Sequence, residues 1–178
     1  MFSKPKDGLL AAAKVVTILC QFVFIFGMVM LAIGIGAILT VGRAELLAEI
    51  ATSGAPAATI WLIGLAMLTG IALLALGFRF FKELNGIIDS VDEGEPFRPE
   101  NANRLSRMGW ISVIGHIGVL PIAGLSLWLA PYADKVGQDV DVGAGVDISG
   151  VLLTLILFIL ARVFRRGTEM REELEGTV

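Results

Sequence analysis

Residues 15–41 read VVTILCQFVFIFGMVMLAIGIGAILTV, a run of 27 residues without a charged side chain. A helix rises about 1.5 Å per residue, so this stretch is longer than the hydrocarbon core of a bilayer, which is about 30 Å thick. It is also far longer than the roughly 7–15 apolar residues of a cleaved signal peptide. The stretch therefore predicts an uncleaved transmembrane helix.

Three further apolar blocks follow, at residues 57–78, 108–130 and 148–164. Across the whole chain 56% of the residues are hydrophobic and only 17% are charged, whereas about 25% are charged in ordinary soluble domains. Four such blocks predict an all-α integral membrane protein. We expect one membrane domain, residues 1–178, built as a four-transmembrane-helix bundle with cytoplasmic helical extensions and surrounded by the lipid bilayer.

Lysine and arginine fall almost entirely on one side of the predicted membrane. Of the 14 such residues, twelve lie in the N-terminal tail, in the loop 79–107 or at the C-terminal end, and only Arg43 and Lys135 lie on the other side. Positive residues mark the cytoplasmic side of a membrane. Both termini, the loop 79–107 and the tail 165–178 are therefore predicted to be cytoplasmic, and 42–56 and 131–147 are the predicted outer loops.

The inner loop is expected to be mostly helical. Apolar residues recur at helical spacing from Phe81 to Val91, which predicts that span two continues past the membrane as an amphipathic helix. Gly94 and Pro96 are expected to end this helix. A new helix is expected to start near residues 99–101 and to run into span three.

Short stretches of sequence predict the local structure of the two outer loops and of the tail. Residues 44–50 form either a short interfacial helix or an extension of span one. The acidic, glycine-rich loop 131–147 is expected to form a small extended piece; its alternating Asp139 and Asp141 are interpreted as a solvated turn rather than a calcium site. Charges spaced four residues apart predict that span four continues as a helix into the tail.

The polar and small residues of the spans each allow two interpretations. His116 and Gln21 are the candidate intramembrane polar site, either as hydrogen-bonded packing residues or as part of a proton relay or ligand site. No Asp or Glu lies deep in any predicted span to partner the histidine. Gly27 and Gly34, two helical turns apart, are expected to mediate either packing within the bundle or a homodimer.

Motifs for enzymatic chemistry are missing from the sequence. There is no phosphate loop, no HExxH, no CxxC and no GxSxG. We therefore expect a protein that is not an enzyme and that has no catalytic residues, no cofactor and no metal site. The net charge of −3 also argues against direct binding to nucleic acid.

Two cytoplasmic motifs carry a family resemblance. The first comprises GEPF at 94–97, NANRL at 101–105 and MG at 108–109, and the second is LARVFRRGTE at 160–169. Together they resemble the bacterial membrane family called domain of unknown function 2975. The resemblance implies four spans in a bacterial inner membrane and no established activity. It also implies genes that often lie beside that of a small helix-turn-helix regulator, which suggests such a regulator as the partner.

These motifs define the candidate site on the cytoplasmic side. Phe97, flanked by prolines, is expected to tuck under the bundle and pin the loop against the tail. The candidate partner-binding or bracing residues are Phe97, Asn101, Arg104, Arg165, Arg166 and Glu169. The leading hypothesis is an inner-membrane protein that binds or sequesters a cytoplasmic helix-turn-helix transcription regulator. The alternative is a small transporter, channel or immunity-type protein that acts through the bundle, and it would depend on His116 or Gln21.

Overall fold

The computed structural model of the chain describes residues 8–133 and 148–175. Within these ranges the chain is helical and contains no strand. The helices are α1 (Gly8–Leu39), α2 (Arg43–Ser53), α3 (Thr59–Asp92), α4 (Pro99–Ala133) and α5 (Ile148–Glu175).

Four of these helices, α1, α3, α4 and α5, are long and apolar enough to cross a membrane. They carry large apolar side chains that are more than half exposed, such as Phe22, Leu120 and Ile159, and lipid is the solvent that suits such surfaces. The helices confirm the predicted all-α, four-span membrane bundle. The bounds of the spans within them stay predictions.

The helix α2 decides between the two interpretations of residues 44–50. A turn at residues 40–42 separates it from α1, so it is a short helix of its own and not an extension of span one. It ends at Ser53, and Gly54 follows with a φ of 74°, the left-handed conformation common just after helix C-termini. The N–H of Ala55 then bonds to the carbonyl oxygen of Ile50 at 3.2 Å.

The connection between α3 and α4 confirms the predicted break. The helix α3 has 34 residues, about 51 Å at 1.5 Å per residue, and therefore extends well beyond a hydrocarbon layer of about 30 Å. It ends at Asp92, and Gly94 follows with a φ of 82°. Pro99, whose ring favours the first position of a helix, begins α4.

The tail helix is confirmed because α5 continues without a break to Glu175. Most of the second outer loop lies outside the described residues. Residues 131–133 of the predicted loop 131–147 belong to α4, and the rest of the predicted extended piece, with Asp139 and Asp141, lies outside the described residues.

The described residues divide into two compact units. Unit 1 comprises residues 8–24, 76–115 and 148–175, and unit 2 comprises residues 25–75 and 116–133. The core of unit 1 is made by Leu105, Met108, Leu157 and Ala161, with Phe80, Leu84, Ile87 and Phe164 packed against it. The assignment of residues 1–178 to one domain stays a prediction.

Glycines of unit 2 receive side chains from a neighbouring helix. A Cβ added at Gly27 would lie 3.1 Å from Cδ1 of Leu74, and one at Gly34 would lie 2.8 Å from Cε of Met67. Both glycines belong to α1 and both neighbours to α3, so the seven-residue spacing serves close packing inside unit 2. The homodimer stays a prediction.

Candidate functional site

Polar contacts of unit 1 gather where the α3–α4 loop meets the C-terminal helix. We call this region the loop-and-tail cluster; it comprises residues 79–92 of α3, the loop 93–98, residues 99–108 of α4 and residues 164–169 of α5. All six residues predicted for the cytoplasmic site belong to it.

Asn101 is the polar centre of the loop. Its side chain is fully buried in the third position of α4. The amide nitrogen donates to Oγ of Ser90 at 2.5 Å and to the carbonyl oxygen of Pro96 at 2.9 Å. Ser90 in turn donates to the carbonyl oxygen of Ile87 at 2.7 Å. Asn101 therefore ties the end of α3, the loop and the start of α4 together, which is a bracing role.

Phe97 joins the loop to α5. Its ring centroid lies 5.5 Å from that of Phe164, and its edge occupies the space above Gly167, where a Cβ would lie 2.9 Å from the ring. Oγ1 of Thr168 lies 3.2 Å from the carbonyl oxygen of Phe97 and 2.9 Å from that of Phe164, so its one proton is shared between the loop and α5. The same side chain is still 44% exposed, so Phe97 braces the loop and also presents an apolar edge on the surface.

Glu83 of α3 is surrounded by arginines. Its side chain is only 11% exposed, and Nη1 of Arg107 donates to both carboxylate oxygens, at 3.1 and 3.3 Å. Arg79 and Arg104 approach the same carboxylate at 3.9 and 4.0 Å. Arg104 also donates to the carbonyl oxygen of Gly86. A nearly buried carboxylate needs such partners, so this group locks α3 to α4.

The helix α1 is attached to α3 by a second set of contacts. Nζ of Lys14 lies 2.6 Å from the Asp89 carboxylate. Oγ1 of the buried Thr17 lies 3.4 Å from Oδ1 of Asn85. One turn further along α1, the Gln21 amide approaches the carbonyl oxygen of Phe81 at 3.5 Å. Gln21 thus contacts the backbone of a neighbouring helix within unit 1.

The loop surface carries one pair of groups with perturbed acidity. Arg98 bonds to Glu95 at 2.5 Å and to Glu93 at 2.7 Å. The hydrogen bond and the positive charge of Arg98 lower the pKa of the Glu95 carboxyl below its ordinary value. The same carboxylates raise the pKa of the Arg98 guanidinium.

The six predicted residues separate into two groups. Phe97, Asn101 and Arg104 form internal contacts and hold the cluster together. Arg165, Arg166 and Glu169 are exposed on α5, and Arg166 forms a 3.8 Å ion pair with Glu169. Asn101 donates to Ser90 and to the carbonyl oxygen of Pro96, and Arg104 donates to the carbonyl oxygen of Gly86.

The intramembrane polar candidates lie in different units. Gln21 belongs to unit 1 and His116 to unit 2, where the imidazole is half-buried and has a contact of its own. In unit 1 the hydroxyls of Ser112 and Thr154 lie 2.6 Å apart and join α4 to α5. Across residues 8–133 and 148–175, no group of three or more His, Cys, Asp or Glu side chains is placed to hold a metal ion.

Sequence reasoning missed the partners that complete the cluster. Glu83, Ser90 and Thr168 are not among the six residues predicted for the site. A usable signal was present: Arg79 stands four residues before Glu83, and Arg104 and Arg107 are three apart on one helix face. Once α3 and α4 are known to be antiparallel neighbours, Glu83 on α3 and the arginines on one face of α4 predict an ion-pair cluster.

The sequence profile of the family described as "Protein of unknown function (DUF2975)" matches residues 38–178. The chain belongs to the DUF2975 family. This confirms the resemblance carried by the loop and tail motifs. The DUF2975 match includes the whole loop-and-tail cluster and His116, whereas Lys14, Thr17 and Gln21 precede it. No curated protein and no solved structure matches the chain.

Proposed function

We propose that this DUF2975 protein is a non-enzymatic inner-membrane protein that presents the loop-and-tail cluster to a cytoplasmic helix-turn-helix transcription regulator. The observation that supports this proposal is the attachment of the α3–α4 loop to α5 through Phe97, Phe164 and Thr168. A loop held in this way forms a fixed surface, and a preorganised surface loses less entropy on binding than a mobile linker does.

The proposed orientation places this surface inside the cell. The loop 79–107 and the residues from Arg162 onward hold nine of the 14 lysines and arginines of the chain. Positive residues in short loops set membrane topology, and they favour the cytoplasmic side. A transcription regulator is a cytoplasmic protein, so the proposed partner requires this orientation.

The charge of the tail suits such a regulator. After Thr168, which contacts the loop, α5 carries three exposed acidic residues on its last turns: Glu169, Glu172 and Glu173. Helix-turn-helix proteins present lysines and arginines to DNA phosphates. The carboxylates of α5 are complementary to that surface, so the proposed mode of action is to hold the regulator at the membrane with its DNA-binding face covered.

The sharpest test of regulator binding reverses the charge of α5 after Gly167 and Thr168, the residues that contact the loop. Deletion of residues 165–178 would also remove Gly167 and Thr168, which hold the loop. The substitutions Glu172→Lys and Glu173→Lys leave that brace intact. The matched control is Glu45→Lys with Glu49→Lys, which makes the same change of charge on exposed residues of α2.

The measurement is in-cell cross-linking and purification in detergent, followed by mass spectrometry of the proteins recovered. We expect a helix-turn-helix protein to be recovered with the unaltered chain and with the α2 control, and to fall at least tenfold with the α5 variant. If no helix-turn-helix protein is enriched with the unaltered chain, the proposal is wrong. The search then moves to transport or ligand binding in the bundle around His116.

A further inference from the structure

A groove of about 450 Å³ lies between α4 and α5 in unit 1. Its lining combines an apolar floor with a basic rim. Phe158 and Ala161 form the floor, Ser106 of α4 adds a hydroxyl, and Arg162, Arg165 and Arg166 line the rest.

The floor of the groove is well packed. The ring of Phe158 lies against Gly109, where a Cβ would be 3.0 Å from two ring carbons. The same ring makes an edge-to-face contact with Trp110, with centroids 5.7 Å apart. Ala161 is buried in the core of unit 1. The groove is therefore a formed concavity with a fixed base.

The rim has an excess of positive charge. It contains three guanidinium groups and one carboxylate, that of Glu169, which lies 3.8 Å from Arg166. Arg162 and Arg165 form no ion pair with any residue in the part of the chain that the structure describes. Guanidinium groups match the oxygens of a phosphate in geometry as well as charge, so a phosphate is the group that this rim fits.

The position of the groove along α5 identifies where that phosphate comes from. Ile156, Ile159 and Val163 of the adjoining turns are apolar and each more than half exposed, as expected for a surface in contact with acyl chains. Arg165 and Arg166 follow directly after Phe164, within the next turn of α5. The groove thus lies at the change from hydrocarbon to headgroup depth, where arginines extend toward lipid phosphates.

We propose that this groove binds the headgroup of an anionic phospholipid. Arg162 and Arg165 bind the phosphate, and the first carbons of an acyl chain lie over Phe158 and Ala161. The proposal does not depend on the proposed regulator, because it concerns residues that precede the acidic end of α5 and needs no soluble partner.

The test is native mass spectrometry of the purified full chain in non-ionic detergent, titrated with phosphatidylglycerol or with phosphatidylethanolamine. Both lipids carry the phosphate, but phosphatidylethanolamine also carries an ammonium group, whose positive charge is repelled by the arginine rim. We therefore expect phosphatidylglycerol to bind at least tenfold more tightly than the zwitterionic lipid. Arg162→Gln with Arg165→Gln should abolish that preference, and Arg43→Gln with Arg171→Gln, the same loss of charge at exposed positions, should retain it.

A charge-retaining variant covers the case in which the glutamine variant fails to fold. Arg162→Lys with Arg165→Lys keeps the charge but loses the planar donor geometry, and it should keep only part of the preference. The proposal is overturned by equal binding of the two lipids to the unaltered chain, or by an unchanged preference in the glutamine variant. It is also overturned if millimolar inorganic phosphate displaces phosphatidylglycerol, since the groove would then be a site for a soluble anion.

Discussion

Truncation of Asn101 to alanine tests whether the buried amide holds the α3–α4 loop. The side chain donates hydrogen bonds to Ser90 and to the carbonyl oxygen of Pro96, and each is worth about 1 kcal/mol. The orphaned Pro96 carbonyl adds a penalty of about 1 kcal/mol, while alanine regains about 0.5 kcal/mol of helix propensity. The loop should therefore lose about 2.5 kcal/mol of stability against local opening, which corresponds to a roughly 60-fold change in the opening equilibrium.

Hydrogen exchange of the loop amides measures this opening directly. The N–H groups of Gly94 and Glu95 bond to the carbonyl oxygens of Val91 and Ser90, both at 3.0 Å, and serve as probes. Asn103→Ala is the matched control, because Asn103 lies on the same helical turn but is exposed. We expect exchange to accelerate roughly 60-fold with Asn101→Ala and to stay near the unaltered rate with Asn103→Ala. Equal rates in both variants would refute the bracing role.

Three further predictions concern the tail contact, the loop charges and the membrane topology. Gly167→Ala should lower thermal stability in detergent, because the new Cβ would lie 2.9 Å from the Phe97 ring; Gly115→Ala, where nothing lies within 4 Å, should instead be neutral or stabilising, and the opposite order would contradict the packing. Arg98 lowers the pKa of Glu95. Their pairing therefore stabilises the loop at pH values above the ordinary carboxyl pKa, and this stabilisation is lost as the pH falls through the lowered pKa. The stability lost between pH 7 and pH 3 should accordingly be smaller in Glu95→Gln, and an identical loss would exclude the pair. A green fluorescent protein fused to the C-terminus should fluoresce and an alkaline phosphatase fused there should be inactive, whereas the reverse would place the tail outside.

The fold could be predicted because the bilayer requires long, uncharged helices. The run from Val15 to Val41 and the three later blocks were interpreted from their length and from their near absence of charge, which only Arg162 in the last turn of the fourth block interrupts. The break between α3 and α4 could also be predicted from the sequence, because Gly94 permits a positive φ and Pro99 favours a helix start. Both predictions depended on local sequence, where the chemistry of a few neighbouring residues decides the backbone.

The cluster was harder to predict because its contacts depend on how helices are aligned with one another. Phe97 was correctly placed against the tail, since its motif and the tail motif are the two marked features on one side of the membrane. The ion pair between Lys14 and Asp89 joins residues 75 positions apart, and the Glu83–Arg107 pair joins residues 24 apart. Helical periodicity gives the face on which each charge lies, but not the axial offset that brings two faces into register.

The attachment of the loop to α5 also affects the order in which the protein is made. Phe97 and its partner Thr168 are separated by 71 residues, so the ribosome releases the aromatic edge long before its cover exists. During that interval the α3–α4 hairpin exposes an apolar ring to chaperones and proteases. Only when α5 arrives do Phe164 and Gly167 cover one side of the ring and Thr168 come within reach of the loop backbone.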